Sequence, residues 1–272
     1  MANIVITPPG RFAFPKITEL WEAREVLYRF GARDVTLRYR QTFLGVAWVV
    51  LQPLITALIF TLVFGKVAHL SSGGLPYLVF SFVGLLAWNL FNNIVTRAQQ
   101  SLVLNRDLVS KVFFPRMLVP LAVIYASLVD LAVSTAFLVV LLVIYGISPG
   151  WWVFLYPLWV LMVVTLASAV GLATSALTVR YRDVNYFVPF FLQFLLFASP
   201  IAYSVSNIHS QYRWIYDINP LVWLLQEFQW ALVHQPAPPA WEIVMSIVLP
   251  IGLFVVSAMI FEQMERGFAD VI

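Results

Sequence analysis

The sequence predicts an all-α protein that crosses a membrane six times. Apolar residues make up 61% of the chain and charged residues only 11%, which leaves too little polar surface for a soluble domain. Six segments are long and apolar enough to be membrane helices, because a helix needs roughly 20 apolar residues to cross the hydrocarbon. These segments are Phe43–Phe64, Tyr77–Thr96, Met117–Tyr145, Trp152–Val179, Val184–Val205 and Ile243–Phe261.

Lys and Arg residues are distributed unevenly between the loops that connect these segments. Of the 16 Lys and Arg residues in the chain, only Lys66 and Arg213 fall in the first, third and fifth loops. Positive charge is retained on the cytoplasmic side of a membrane, so we expect both termini in the cytoplasm. The net charge of +3 gives no indication of a nucleic-acid partner.

This pattern divides the chain into two regions. Residues 1–42 form a cytoplasmic arm, whose basic residues suit anionic membrane lipids, and residues 43–272 form one six-span membrane domain. The arm has no apolar core of the kind that a secretory signal peptide needs, so the first span is expected to direct insertion.

The arm is predicted to contain an amphipathic helix over residues 18–30, with Thr18 as its N-cap. Apolar and charged side chains fall on opposite sides of this helix, which is typical of a helix lying in the membrane interface. A helix packed on a soluble partner is the alternative. The apolar side carries Leu20, Trp21, Leu27 and Tyr28.

Two loops are predicted to form short helices. Residues 97–116 mix apolar and charged side chains, which favours a short helix with a docking surface over a solvated connector. In the fifth loop, Asn219 is a suitable N-cap and Pro220 suits the first turn of a helix that runs to His234. That helix would be only about 20 Å long, too short to cross the membrane. We therefore expect it to be interfacial or re-entrant.

The sequence contains no recognisable motif for nucleotide binding, metal binding or catalysis. The pair Gly65-Lys66 lacks the rest of an ATP-binding loop. The three histidines, His69, His209 and His234, have no metal-ligand spacing, and the lack of Cys excludes disulfides and thiolate metal sites. A catalytic site is not expected, although a membrane glycosyl- or acyltransferase with a sparse site is an alternative.

Polar residues inside the predicted spans are candidates for function. Asp130 is expected to face protein or water because a carboxylate is costly at the bilayer centre. It indicates either a helix-packing or dimer contact or, as the alternative, a proton relay. One helical face of the second span carries further polar residues, which would either hydrogen-bond between helices or line a wet passage. These residues are Asn89, Asn92, Asn93 and Thr96.

Aromatic residues recur at helical spacing along the fifth predicted span. Such a face could line a channel for sugars, because aromatic rings stack on the apolar faces of sugars. Ordinary packing and lipid contact are the alternatives. The candidate channel residues are Phe187, Phe190, Phe194 and Phe197, with Tyr203 nearby.

Several short motifs occur in order along the chain. RDVTLRYRQTFLG at Arg33–Gly45 leads to Trp48 and Leu51–Leu54, and Ser199–Ile201, Asn219-Pro220 and Glu265–Asp270 lie near the other end. Between them lie Asn105–Lys111, Phe114–Arg116 and Arg180–Val184. Together these motifs resemble the permeases of polysaccharide ABC exporters of the O-antigen and teichoic-acid type.

The resemblance implies a permease domain over residues 43–272 that pairs as a homodimer and binds two copies of a separate ATPase. That ATPase would bind ATP and Mg, and this chain would hold no cofactor or metal. The arm helix would be the interface helix, and the cargo would be a lipid-linked glycan exported across a bacterial inner membrane. The coupling helix would comprise Leu102, Asn105, Arg106, Asp107, Leu108 and Lys111. An external gate would comprise Asn219, Pro220, Trp223 and Trp230.

Three other functions fit parts of the pattern. An exporter permease for a drug or a small lipid would share the architecture. A proton-coupled carrier would use Asp130, and a transferase would act on a lipid-linked donor without any partner.

Overall fold

The computed structural model describes residues 17–40, 45–112, 114–205, 210–265 and 267–268. Every regular element in these ranges is helical, which confirms the all-α class. The α-helices are α1 (Ile17–Glu22), α2 (Arg24–Tyr39), α3 (Ala47–Phe60), α4 (Tyr77–Leu104), α5 (Arg106–Lys111), α6 (Leu118–Ile144), α7 (Tyr156–Arg180), α8 (Val184–Ala198), α9 (Arg213–Asp217), α10 (Pro220–Val233) and α11 (Ala240–Glu265). A π-helix, Thr61–Val67, continues α3, and 3-10 turns occupy Trp151–Leu155 and Ser210–Tyr212.

Five of the predicted spans correspond to described helices that are long and apolar enough to cross a membrane. These are Ala47–Val67, Tyr77–Leu104, Leu118–Ile144, Trp151–Arg180 and Ala240–Glu265. Residues 41–44, where the first predicted span begins, lie outside the described residues, as do Arg266, Ala269 and Asp270 of the C-terminal motif.

The remaining predicted span, Val184–Val205, is helical only over the 15 residues of α8. A helix of that length is about 22 Å long, too short for the hydrocarbon by itself. It ends because Ser199 precedes Pro200 and adopts an extended conformation, as residues before proline prefer. The count of six spans is therefore not confirmed.

Helix α4 lies at the centre of the bundle. It contacts α3, α6, α7, α8 and α10, and its side chains Phe82, Val83 and Ile94 are fully buried. The contact with α7 is close because small residues meet there: a Cβ at Gly171 would lie 2.7 Å from the Cβ of Ala98. Small residues serve the same purpose between membrane helices in general.

The two ends of the bundle carry different elements. At the end that we call the α5 end, α4, α7 and α11 finish, and α2 and α5 lie beside them. Contacts from Gln99 to Thr178 and from Arg116 to Glu265 join elements there. At the opposite end, the α10 end, α4, α7 and α11 begin and α9 and α10 lie.

The predicted helix of the arm forms as two helices, α1 and α2. Thr18 lies inside α1, so its predicted role as N-cap is wrong. Helix α2 continues well past residue 30 and packs along α6. The approach is close because Gly31 has no side chain: a Cβ there would lie 2.6 Å from the ring of Tyr125. That this region is an interface helix stays a prediction.

The predicted short helix of the fifth loop is confirmed as α10. The side chain of Asn219 accepts a hydrogen bond from the backbone N–H of Leu221 at 3.1 Å, and Pro220 occupies the first turn. The helix contacts α4, α7 and α11, and nearly all of its side chains are buried. Its burial within the bundle explains why so short a helix can be so apolar.

Candidate functional site

The predicted coupling segment forms a short helix at the α5 end. Helix α4 extends to Leu104, past the expected end of the span at Thr96, so the connection between α4 and α6 is shorter than predicted. Leu102 consequently lies inside α4 and is fully buried. It packs in the same apolar cluster as Val109 of α5 and offers no surface to a partner in this structure. Its predicted place in the coupling helix stays a prediction.

The rest of this segment is exposed. Arg106 and Leu108 face outward on α5, and Asp107 lies 3.7 Å from Lys111 one turn later, with both side chains largely exposed. An exposed pair of this kind adds little stability. These charges are therefore available to a partner, although their predicted coupling role stays a prediction.

Helix α5 is linked to the arm. Arg33 of α2 donates a hydrogen bond to the Oδ1 atom of Asn105 at 3.0 Å, immediately before α5 begins. The rings of Phe30 and Phe114 pack with centroids 5.8 Å apart. A force applied to α5 would therefore be transmitted to α2 through polar and apolar contacts.

The four predicted interface residues do not form one exposed apolar face. Leu20 is half-buried against the core at the α5 end, and Leu27 lines a groove beside α6. Trp21 and Tyr28 are exposed, and the ring of Tyr28 packs edge-on against Tyr125 at 6.4 Å. Leu20 and Leu27 therefore pack the arm against the bundle, whereas Trp21 and Tyr28 remain exposed.

Asp130 of α6 is buried and has three partners in the same chain. Its Oδ2 atom lies 2.8 Å from Arg38 and 3.2 Å from Arg97, and its Oδ1 atom accepts a hydrogen bond from Tyr39. The arm supplies Arg38 and Tyr39, and α4 supplies Arg97. The expected helix-packing role of Asp130 is thus supported by its geometry, since the carboxylate joins α2, α4 and α6.

A cavity of about 420 Å³ opens between α3, α4 and α6, beside Asp130. Three of the four polar residues predicted on α4 border it, namely Asn89, Asn92 and Asn93. The remaining polar side chains of its wall are Arg38, Gln52, Thr56, Ser127, Asp130 and Ser134. This volume lies within the range of small-molecule sites, about 300–1,000 Å³.

The amides of this cavity have no partner in the described part of the chain. Among the residues that the structure describes, none forms a hydrogen bond with the side chains of Gln52, Asn89, Asn92 or Asn93. The three asparagines are half-buried and Gln52 is exposed, so the amides are accessible to whatever fills the cavity. The contacts between these helices therefore do not satisfy the amides, and a hydrogen-bonding occupant of the cavity would.

The predicted aromatic stripe lies on one exposed face of α8. Phe187, Phe190, Phe194 and Phe197 are each at least 59% exposed. Tyr203 does not belong to this face, because the chain leaves the helix at Ser199. Its hydroxyl lies 2.9 Å from that of Tyr216 in α9 and donates a hydrogen bond to the backbone carbonyl of Phe197 at 3.3 Å. The channel role of the four phenylalanines and of Tyr203 stays a prediction.

The predicted gate residues are built into the α10 end. The amide of Asn219 donates to the Oγ atom of Ser199 at 3.3 Å, which links α10 to the end of α8. Trp223 packs edge-on against Trp241, and Trp230 lies 4.7 Å from Trp152. Both indoles of α10 are buried, so opening a passage here would require α10 to move.

Two buried acids at the α10 end were not recognised in the sequence. Glu227 of α10 is fully buried and accepts a hydrogen bond from Ser246 at 2.6 Å, while its second oxygen has no partner. Burial raises the pKa of its carboxyl to about 8. Glu242 accepts a bond from Gln226 at 3.0 Å and lies 4.0 Å from Arg213. A single acid within an apolar helix was the available signal for Glu227.

No group of three or more His, Cys, Asp or Glu side chains that could hold a metal ion occurs in the described part of the chain. The surfaces described above are the surroundings of α5, the amide cavity, the aromatic face of α8 and the buried helix α10. The surroundings of α5 and the buried helix α10 lie at opposite ends of the bundle.

Comparison with known proteins identifies the family. Residues 26–233 match the family model described as ABC-2 type transporter. The chain is 31% identical over 256 residues to the O-antigen export system permease protein RfbA of Myxococcus xanthus, covering 93% of this chain and 98% of that one. A Klebsiella pneumoniae protein of the same name is 28% identical over 88% of this chain and 92% of its own length. The polysialic acid transport protein KpsM of Escherichia coli is 25% identical over 71% of this chain and 76% of its own length. The chain therefore belongs to the ABC-2 type transporter family, as a membrane-embedded permease component.

Proposed function

We propose that this chain is the membrane-spanning subunit of a bacterial exporter that moves a lipid-linked polysaccharide out of the cytoplasm. The observation that carries the proposal is its similarity, over most of its length, to permeases named for O-antigen and polysialic acid transport. A separate ATPase supplies the energy and binds ATP and Mg, since the sequence contains no ATP-binding loop.

The distribution of charge supports one orientation in the inner membrane. The α5 end carries Arg33, Arg97, Arg106 and Arg116, among other basic residues, whereas Lys66 and Arg213 lie towards the α10 end. The positive-inside rule places the α5 end in the cytoplasm. Both termini are then cytoplasmic, and the α10 end faces outward.

The ATPase docks on the α5 end. Helix α5 offers Arg106, Asp107 and Lys111 as exposed charges, and the bond between Arg33 and Asn105 connects it to α2. Two copies of the chain form a homodimer with two ATPase subunits, one for each α5. Nucleotide-dependent movement of the ATPases then pulls on α5 and, through it, on the arm.

The glycan passes along surfaces that the chain leaves exposed. The phenylalanines of α8 present flat apolar rings, on which sugar rings stack without the need for a specific hydrogen-bond pattern. Helix α10 closes the outer end as a gate. A passage of this kind would suit a long repetitive cargo, because successive sugars can replace one another on the same rings.

A charge reversal on α5 tests the coupling role. We expect Arg106→Asp combined with Asp107→Arg to abolish surface polysaccharide and co-purification of the ATPase, while membrane insertion is unchanged. Truncating one member of a buried charged interface pair costs about 2–5 kcal/mol. The matched control is Arg182→Asp with Asp183→Arg, an exposed pair at the same end of the bundle. Normal export in the α5 variant would refute the docking role.

A second test distinguishes a glycan from a small apolar cargo. Phe190→Leu with Phe194→Leu removes two stacking surfaces and keeps the face apolar, so glycan export should slow while efflux of a hydrophobic dye should not. Phe154→Leu, an exposed ring near the start of α7, is the control. Equal slowing of dye and glycan would favour a permease for drugs or small lipids.

A further inference from the structure

We propose that the amide cavity between α3, α4 and α6 binds hydroxyl groups of the exported glycan. The proposal rests on the function proposed above and adds a polar binding site to the aromatic face of α8. The two surfaces differ in chemistry: α8 would stack on the faces of sugar rings, and the cavity would bind hydroxyl groups at their edges.

The first step of the argument is the position of the amides. Asn89, Asn92 and Asn93 lie in the second half of the stretch Tyr77–Thr96, which leads to the α5 end and is predicted to cross the membrane, where lipid supplies no hydrogen bonds. They share one helical face with spacing of three and four residues. Gln52 of α3 faces the same space from across the cavity. Amides gathered from two spans onto one cavity suit an occupant that can form hydrogen bonds.

The second step concerns the chemistry of the occupant. Each amide offers two N–H donors and a carbonyl acceptor, and Ser127 and Ser134 add hydroxyls to the wall. Sugar hydroxyls also donate and accept, so they can satisfy both halves of an amide. No aromatic ring contributes to the wall among the described residues, which disfavours a flat apolar ligand.

The third step concerns charge. Arg38 and Asp130 both border the cavity, but they lie 2.8 Å apart and compensate each other. The wall itself therefore carries one charge of each sign, and Arg97 lies behind it, 3.2 Å from Asp130. A neutral, hydroxyl-rich portion of the glycan suits such a wall, because the paired charges of the wall need no charge on the ligand.

Cysteine labelling tests the occupancy directly, because the chain contains no Cys. Asn92→Cys is placed in the full complex with its ATPase, in membranes, and treated with a charged, water-soluble methanethiosulfonate. The probe ligand is polysaccharide released from the cell's own surface by mild acid. We expect labelling of Asn92→Cys to slow at least threefold when the polysaccharide is present. Lys66→Cys, an exposed position at the α10 end, should be labelled at one rate in both conditions.

Each outcome of this experiment decides the proposal. Labelling that the polysaccharide does not slow would show a cavity filled only by water, and it would overturn the proposal. No labelling at all would show that the amides are covered, for example by a second copy of the chain, and would overturn it as well. The proposed export function is judged separately, by whether the unmodified protein delivers polysaccharide to the surface.

A substitution series provides an independent measurement. Asn89→Leu, Asn92→Leu and Asn93→Leu replace each amide by an apolar side chain of similar size, so the spans should insert at least as well as before. We expect polysaccharide export to fall more than tenfold in the triple variant. Thr174→Val is the control, because the hydroxyl of Thr174 bonds only to backbone carbonyls of its own helix. Wild-type export in the triple variant would contradict the proposal, and if that variant fails to assemble, the labelling result decides.

Discussion

Asp130 and Glu227 are both buried acids, but the protein treats them differently. Asp130, on the side of the α5 end, has two guanidinium groups within 3.2 Å and a tyrosine hydroxyl. Glu227, at the α10 end, has a serine hydroxyl on one oxygen and no partner on the other. The charge of Asp130 is compensated by arginines from two other helices, whereas Glu227 has, among the described residues, no cation beside it and only one hydrogen bond.

The difference shows what each acid can do. A buried carboxylate with paired arginines can remain charged and hold helices together, because hydrogen bonds between oppositely charged groups are stronger than neutral ones. A buried carboxyl without a cation is more stable with its proton on. Asp130 therefore acts as a fixed joint between α2, α4 and α6, and Glu227 is a group whose charge depends on pH.

The largest expected effect comes from removing the compensated acid. Asp130→Leu leaves Arg38 and Arg97 beside each other without a counter-charge, which should destabilise the protein by about 3 kcal/mol. Thermal unfolding of the purified protein measures the loss. The triple variant with Arg38→Leu and Arg97→Leu should recover most of it, because an apolar replacement of the whole cluster leaves no buried charge. If Asp130→Leu were as stable as the unmodified protein, Asp130 would not be the charged link between helices that distinguishes it from Glu227.

A smaller effect is expected from pH at the uncompensated acid. The folded-state pKa of Glu227, about 8, lies above its ordinary value of 4.5, so the folded protein binds one more proton than the unfolded chain between these values. Stability should then fall as pH rises, by about 1 kcal/mol between pH 6 and pH 7. In Glu227→Gln the slope should be flatter, with Glu242, Arg213 and Asp217 as the remaining charged groups nearby. If stability changed equally with pH in the unmodified protein and in Glu227→Gln, the pH dependence would come from groups other than Glu227.

The smallest effect compares one hydroxyl at each end. Tyr39→Phe removes a hydrogen bond to the Asp130 carboxylate, and Tyr216→Phe removes a bond to the neutral hydroxyl of Tyr203. Bonds to charged groups are about twice as strong as neutral ones, so the first change should cost about 2 kcal/mol and the second about 1 kcal/mol. Thermal unfolding of both variants in the same detergent measures the two losses of stability. The reverse order would indicate that Asp130 is not charged.

Much of the fold could be predicted because membrane helices are encoded locally. Runs of apolar residues located five spans, and Asn219 with Pro220 located the start of α10. The segment after Val184 was predicted to be too long, since hydropathy continues past Ser199 whereas the backbone becomes extended at Ser199, before Pro200. Arg38 could not be paired with Asp130 from the sequence, because the contact joins distant parts of the chain.

The candidate site was predictable to a lesser degree. The asparagines of α4 were identified from their helical spacing, but their lack of partners depends on how α3 and α6 pack, which no local pattern records. Leu102 was placed in the coupling loop because apolar character there resembled a docking face, yet the same character reflects burial in α4. Polar residues within spans are a better guide to functional sites than apolar residues in loops, since a polar group in a membrane needs a hydrogen-bonding partner.

The contact between Gly150 and His234 anchors the C-terminal end of α10. His234 ends α10 in a left-handed conformation, and its imidazole fills the space that a side chain at Gly150 would need. Together with the tilted ring pair of Trp152 and Trp230, this fastens the C-terminal end of α10 to the turn before α7. The N-terminal end of α10 is held by polar contacts, among them the bond from Asn219 to Ser199 at 3.3 Å, so a disulfide engineered between positions 199 and 219 would test whether export requires that end to move.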